Sequence, residues 1–171
     1  WYPAIEARKV GRKQYRLFGT RKPTRVKMLG EDIVLFRGKD SKIGAVWNRC
    51  PHRGALLSYG VCEFDGTVSC PYHGYTFDQN GVCVGALTEG PDSPLNGKLR
   101  VKSYPTEVVN GVVYVWMGQT EPVPIKEDLP EHFFDDNFLV YPYRKMWPMN
   151  WALTMENNAD AHDSYIHRFR V

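Results

Sequence analysis

Cys50-Pro51-His52 and Cys70-Pro71-Tyr72-His73 constrain this 171-residue chain more than any other feature. Each stretch supplies one thiol and one imidazole, and no other His lies between them. Metal ligands must be held rigidly on facing loops. Pro51 and Pro71 stiffen the backbone directly after each Cys, and Gly54 and Gly74 follow where a side chain would obstruct a close approach. Two Cys and two His also make an ordinary tetrahedral zinc set, although zinc fingers usually draw the Cys as one pair and the His as the other. The mixed order suits a two-iron cluster with both Cys on one iron and both His on the other. That arrangement raises the reduction potential and points to electron transfer.

The segment around these motifs reads as short strands separated by turns. Residues 31–37 and 42–47 are strand-like, with the polar turn 38–41 between them. Asp65-Gly66 and Asn110-Gly111 are strong hairpin signals, the first between Val61–Phe64 and Thr67–Ser69, the second between 107–109 and 112–116. Asn80-Gly81 predicts another. Many short strands with regular turns predict a mainly β fold, a small sandwich or barrel. After Trp116 the composition shifts: Pro122, Pro124 and Pro130 among acidic residues predict an extended linker. Asn150 then stands where it can cap a helix starting at Trp151.

A formal net charge of +3 and the absence of a Lys/Arg run argue against nucleic acid. The mildly basic stretches 8–16 and 21–27 read as solvated surface. No apolar run approaches the roughly 20 residues that span a bilayer, and neither a secretory leader nor any location other than the cytoplasm is expected. Cys62 and Cys83 are expected to be free buried thiols rather than a disulfide.

A second constellation follows Asn150-Trp151, running from Glu156 to His167. A non-haem Fe(II) oxygenase site needs two His and one carboxylate on one face of the metal. Four of the five His of the chain fall in these two constellations, leaving only His132. His162 and His167 are five apart, about 140° around a regular helix, so both reach one metal only where the helix bends, bulges or ends.

Cys-Pro-His-Arg-Gly-Ala at 50–55 and Cys-Pro-Tyr-His-Gly-Tyr-Thr-Phe-Asp at 70–78 resemble the two cluster loops of Rieske non-haem iron aromatic-ring-hydroxylating oxygenases, in the large, terminal oxygenase subunit. Tyr75 stands where that family often has Trp. The 150–167 segment resembles the family's catalytic motif, and the layout resembles the homotrimeric carbazole dioxygenase type, without a β subunit. The resemblance implies a Rieske domain of small antiparallel sheets over 26–118, after an N-terminal segment 1–25. It also implies a linker and the start of an α+β (helix-grip) catalytic domain over 119–171. Cys50, His52, Cys70 and His73 would hold the [2Fe–2S] cluster, and His162 and His167 a mononuclear Fe(II). An alignment shifted by one residue would put Asp163 in the first ligand's place. Asn157 matches a residue near the iron. Asp160 matches an acidic residue bridging the cluster of one subunit and the iron of the next, but stands two residues before His162 rather than the usual three. It also reads as an orienter of a metal-bound imidazole. The third, carboxylate ligand of the family lies further downstream than Val171, so a fragment of a longer chain is expected. The implied activity is dihydroxylation or monooxygenation of an aromatic compound with O2, using NAD(P)H-derived electrons from a ferredoxin or ferredoxin reductase. The alternative is a Rieske ferredoxin-type electron carrier.

Overall fold

The computed structural model describes residues 1–11, 21–38, 40–135, 137–143, 145 and 147–159. These residues form three small antiparallel sheets. The first has the order β1-β10-β9, from β1 (Tyr2–Glu6), β9 (Thr106–Val109) and β10 (Val112–Val115). The second has the order β2-β3-β4-β8, from β2 (Thr24–Met28), β3 (Glu31–Arg37), β4 (Ile43–Trp47) and β8 (Ser103–Tyr104). The third has the order β5-β6-β7, from β5 (Val68–Ser69), β6 (Tyr75–Phe77) and β7 (Cys83–Ala86). The mainly β expectation therefore holds.

The central strand β3 explains how the sheets share a core. Its Ile33-Val34-Leu35-Phe36 run is fully buried, where a strand with one wet face would alternate apolar and polar residues. Successive side chains of a strand point to opposite faces. Ile33 and Leu35 accordingly pack with Val26, Ala45, Val113 and Val115 in one core. Val34 and Phe36 pack with Val46, Leu57, Val68 and Phe77 in a second, which also contains Cys50 and Cys70. The metal-ligand candidates thus sit on the second core, and β3 links it to the first.

Turn chemistry behaves as the residue types dictate at Asn110-Gly111. Both residues have positive φ, 47° and 73°, as a type I′ hairpin requires, and Val109 and Val112 face each other across it. The Asp65-Gly66 hairpin is reduced to less than expected. Val61 and Ser69 form only an isolated bridge, and β5 pairs with β6 instead. The turn itself closes, with the Thr67 N–H donating to the Phe64 carbonyl at 3.3 Å, and the outer edge of the segment bridges to Arg21, whose carbonyl accepts the Cys62 N–H at 3.0 Å. The proline-rich stretch after Trp116 contains one short helical turn, α1 (Ile125–Asp128), rather than being extended throughout. It packs against the segment that carries β1: the Trp1 indole N–H donates to the Val123 carbonyl at 2.8 Å. Helix α2 (Trp151–Ala159) begins where expected, with the Ala152 N–H donating to Asn150 Oδ1 at 3.0 Å. Cys62 and Cys83 are free and buried. Among the described residues no helix is long and apolar enough to cross a membrane.

Candidate metal centre

The two Cys/His stretches fold into loops with the same backbone closure. In the first, the Cys50 N–H donates to the Ala55 carbonyl at 2.8 Å and the Gly54 N–H to the Cys50 carbonyl at 2.8 Å. In the second, the Cys70 N–H donates to the Tyr75 carbonyl at 2.8 Å and the Gly74 N–H to the Cys70 carbonyl at 3.1 Å. Both loops therefore span Cys to the fifth residue on, with a left-handed glycine at the fourth, φ 72° at Gly54 and 67° at Gly74. A Cβ in that conformation would be strained. The His is the second residue after the Cys in one loop and the third in the other, which the shared closure accommodates without changing loop length.

This pairing brings all four candidates together, two by two. Cys50 and Cys70 lie in the interior, 2 % and 4 % exposed. His52 and His73 lie nearer the surface, with ring centroids 4.9 Å apart at 71°. Exposed Tyr72 stacks on His73 at 3.8 Å, and the Tyr75 ring lies 4.9 Å from His52. Among the described residues no three His, Cys, Asp or Glu side chains are arranged to hold a single metal ion. A tetrahedral zinc ion would need its four ligands on one point. Thiols paired below and imidazoles paired above fit two metals with different ligands.

The electrostatics favour a deprotonated sulfur at Cys70. The two thiols share a hydrogen bond. Cys50 donates in it, and this, with burial, pushes its own pKa up. Cys70 accepts, which together with the backbone N–H groups of Tyr72 and His73 brings it down to about 6. The N–H groups of His52 and Arg53 face Cys50 in the same way. The pair gives up one proton readily and releases the second when a cation replaces it. His73 Nδ1 is buried without a hydrogen-bond partner. A polar nitrogen in that position is costly to leave unpaired, and a metal ligand's lone pair is the natural explanation. The donor set therefore fits the two-iron cluster.

One supporting residue gave no motif signal. Asn48 is fully buried at the start of the first loop. Its Nδ2 donates to Asp32 Oδ2 at 3.2 Å and its Oδ1 accepts the Ser58 N–H at 2.7 Å, closing a clamp around the loop. Asp32 also takes a bidentate pair from Arg25 at 2.7 and 2.8 Å. A lone amide at the end of the apolar strand β4 was the available clue. Arg25, then Asn48, hold the Asp32 carboxyl below the usual carboxylate range. A depressed native pKa contributes stability that is complete above the unfolded-state value and is lost as pH falls from that value through the lower native one. Asp32→Asn is therefore expected to flatten the acid limb of a stability profile below about pH 5, near the ordinary carboxylate range. Urea titrations of both proteins at pH 7 and pH 3.5 check this, since the difference between them should shrink at the lower pH.

The second constellation is only partly visible. Asn157 lies on α2. Asp160, His162 and His167 lie outside the described residues.

Comparison with known proteins agrees with the geometry. Residues 1–105 match the Rieske [2Fe–2S] domain and residues 116–171 match the homotrimeric ring hydroxylase family. The terminal oxygenase component of carbazole 1,9a-dioxygenase from Sphingomonas sp is 38% identical over 98% of this chain and 42% of that protein. The terminal oxygenase of carbazole 1,9a-dioxygenase from Novosphingobium sp. KA1 superposes with a TM-score of 0.77 at 34% identity, covering 92% of this chain and 40% of the other. The reduced complex of oxygenase and ferredoxin in carbazole 1,9a-dioxygenase gives a TM-score of 0.74 at 31% identity, covering 92% and 38%. The chain spans less than half the length of these relatives. With two matched ligand loops, an interior thiol pair and an outer imidazole pair, it belongs to the Rieske [2Fe–2S] domain family, continued after Trp116 by sequence of the homotrimeric ring hydroxylase type.

Proposed function

We propose that this chain is the cluster-bearing part of a terminal oxygenase component in a multicomponent Rieske oxygenase. It would be reduced by a ferredoxin or ferredoxin reductase and would oxygenate an aromatic compound with O2 in a homotrimer. The observation that carries the reading is the bipartite site: thiols buried against the second core, imidazoles 4.9 Å apart near the surface. In this reading Cys50, Cys70, His52 and His73 are the cluster ligands, and residues 26–118 are the electron-accepting domain. Residues 119–171 are the linker and the opening of the catalytic domain. When bound, the cluster supplies one-electron storage at a potential raised by its imidazole ligands.

The residues of the chain prepare that chemistry in distinct ways. Cys70 is the thiol that sheds its proton readily, beside Cys50 and under the N–H groups of Tyr72 and His73, while Cys50 holds its proton until a cation replaces it. His52 and His73 present the polar edge of the site to a donor, with Tyr72 stacked outside His73. The buried core beneath keeps water from the sulfurs. His162 and His167 are assigned to a mononuclear Fe(II), with Asn157 beside it and Asp160 between subunits. The residues matching a ring hydroxylase favour an oxygenase over a free electron carrier. Free thiols at Cys62 and Cys83 support a reducing compartment, and we assign the cytoplasm.

Iron analysis of the full-length protein tests the assignment. Three irons and two acid-labile sulfides per chain are expected, falling to two irons with the colour retained in His162→Ala/His167→Ala. Two irons in the unsubstituted protein would make it an electron carrier.

A further inference from the structure

The three residues after β7 clasp the second ligand loop in sequence. The Leu87 N–H reaches the Gly74 carbonyl at 3.4 Å, and the Thr88 hydroxyl donates to the His73 carbonyl at 3.0 Å. Glu89 accepts the Tyr75 hydroxyl on one carboxylate oxygen and the Ser93 hydroxyl on the other, the latter at 2.5 Å. The fit is close, since a Cβ on Gly74 would lie 2.7 Å from Leu87 Cβ. Tyr75 is itself buried, and its ring packs against His52. A carboxylate is thereby fixed at the far end of a ring that packs against an outer imidazole. The hydroxyl that holds Glu89 exists because this position is Tyr. A carboxylate on an exposed loop would otherwise be free to swing into solvent, where its field is screened.

We propose that Glu89, held in place by Tyr75, is a charge that lowers the reduction potential of the cluster from the imidazole side. The inference rests on His52 and His73 being cluster ligands. Reduction adds an electron to the centre, so a nearby fixed negative charge opposes it. Tyr75 is a positioning residue in this device, and Ser93 keeps the second carboxylate oxygen from turning away.

The test is an equilibrium redox titration of the cluster-loaded full-length protein, with the two-iron absorption and EPR signals confirmed in each variant. Glu89→Gln keeps an amide oxygen that accepts one hydroxyl and places an NH2 that can donate to the oxygen of the other, while it removes the charge. Its reduction constant is expected to rise about threefold, with unchanged thermal stability, as suits one charge at a partly solvated site. In a Tyr75→Phe background, with Tyr75→Trp as a second background should the first fold poorly, the same substitution is expected to have less than half that effect on a logarithmic scale. A reduction constant unchanged by Glu89→Gln would overturn the proposal. An undiminished effect in both Tyr75 backgrounds would overturn the positioning role. An unsubstituted protein without two-iron signals would instead refute the ligand assignment, a result separate from either.

Discussion

Cys70→Ser is expected to give a folded protein without the red-brown colour or the EPR signal of a reduced two-iron cluster. The size of this effect follows from the site. Cys70 is the more acidic thiol of the pair, brought to about 6 by its hydrogen bond from Cys50 and by two backbone N–H groups. A serine hydroxyl in its place would hold its proton far more tightly and would be a poor ligand for soft iron. Folding of the loop does not depend on the sulfur, because closure runs through the backbone of Cys70, Gly74 and Tyr75. Cys62→Ser supplies the control: Cys62 is buried, with its thiol pushed up to about 12 by burial, and its loss should leave the colour intact. His52→Cys should retain iron but lower the potential, since it exchanges an imidazole for a thiolate. Absorption spectra of the three variants, prepared in parallel, check this set. Survival of the full cluster spectrum in Cys70→Ser would show that the thiol pair is not the ligand pair.

Phe77→Ala is expected to destabilise the protein by about 3–5 kcal/mol. Phe77 is completely buried on β6, immediately after the second ligand loop. It pairs with Val68 on one side and Cys83 on the other, and packs in the core that contains Cys50 and Cys70. Truncation leaves a void that this core can fill only by moving the loops above it. Urea denaturation should show a lower midpoint with a similar slope, and the cluster should bleach faster in the presence of a chelator. Phe77→Leu should cost much less, because most of the volume remains. A change in cluster lifetime without a change in stability would mean that Phe77 acts on the loops directly rather than through the core.

How much of this was legible beforehand varies with the element. The Asn110-Gly111 hairpin and the helix cap at Asn150 were legible because local backbone preference decides both. At Asp65-Gly66 the turn was legible but the bridge from Cys62 to Arg21 was not, because the two residues are 41 positions apart in the chain. The ligand set was legible in residue type and spacing. Its division into an inner thiol pair and an outer imidazole pair is visible only once both loops stand over one core.

The sequence by itself determined which residues can bind metal, the equal length of the two loops and the turn chemistry that shapes them. Each of these depends on local covalent structure: the stiffness of Pro51 and Pro71, and the freedom of Gly54 and Gly74. Tertiary structure alone decided that β3 feeds two cores, that Asn48 clamps the first loop to Asp32, and that Glu89 meets the hydroxyl of Tyr75. The last two contacts join residues 16 and 14 positions apart. Burial and hydrogen bonding select them after the chain has collapsed, and no periodicity in the sequence encodes them.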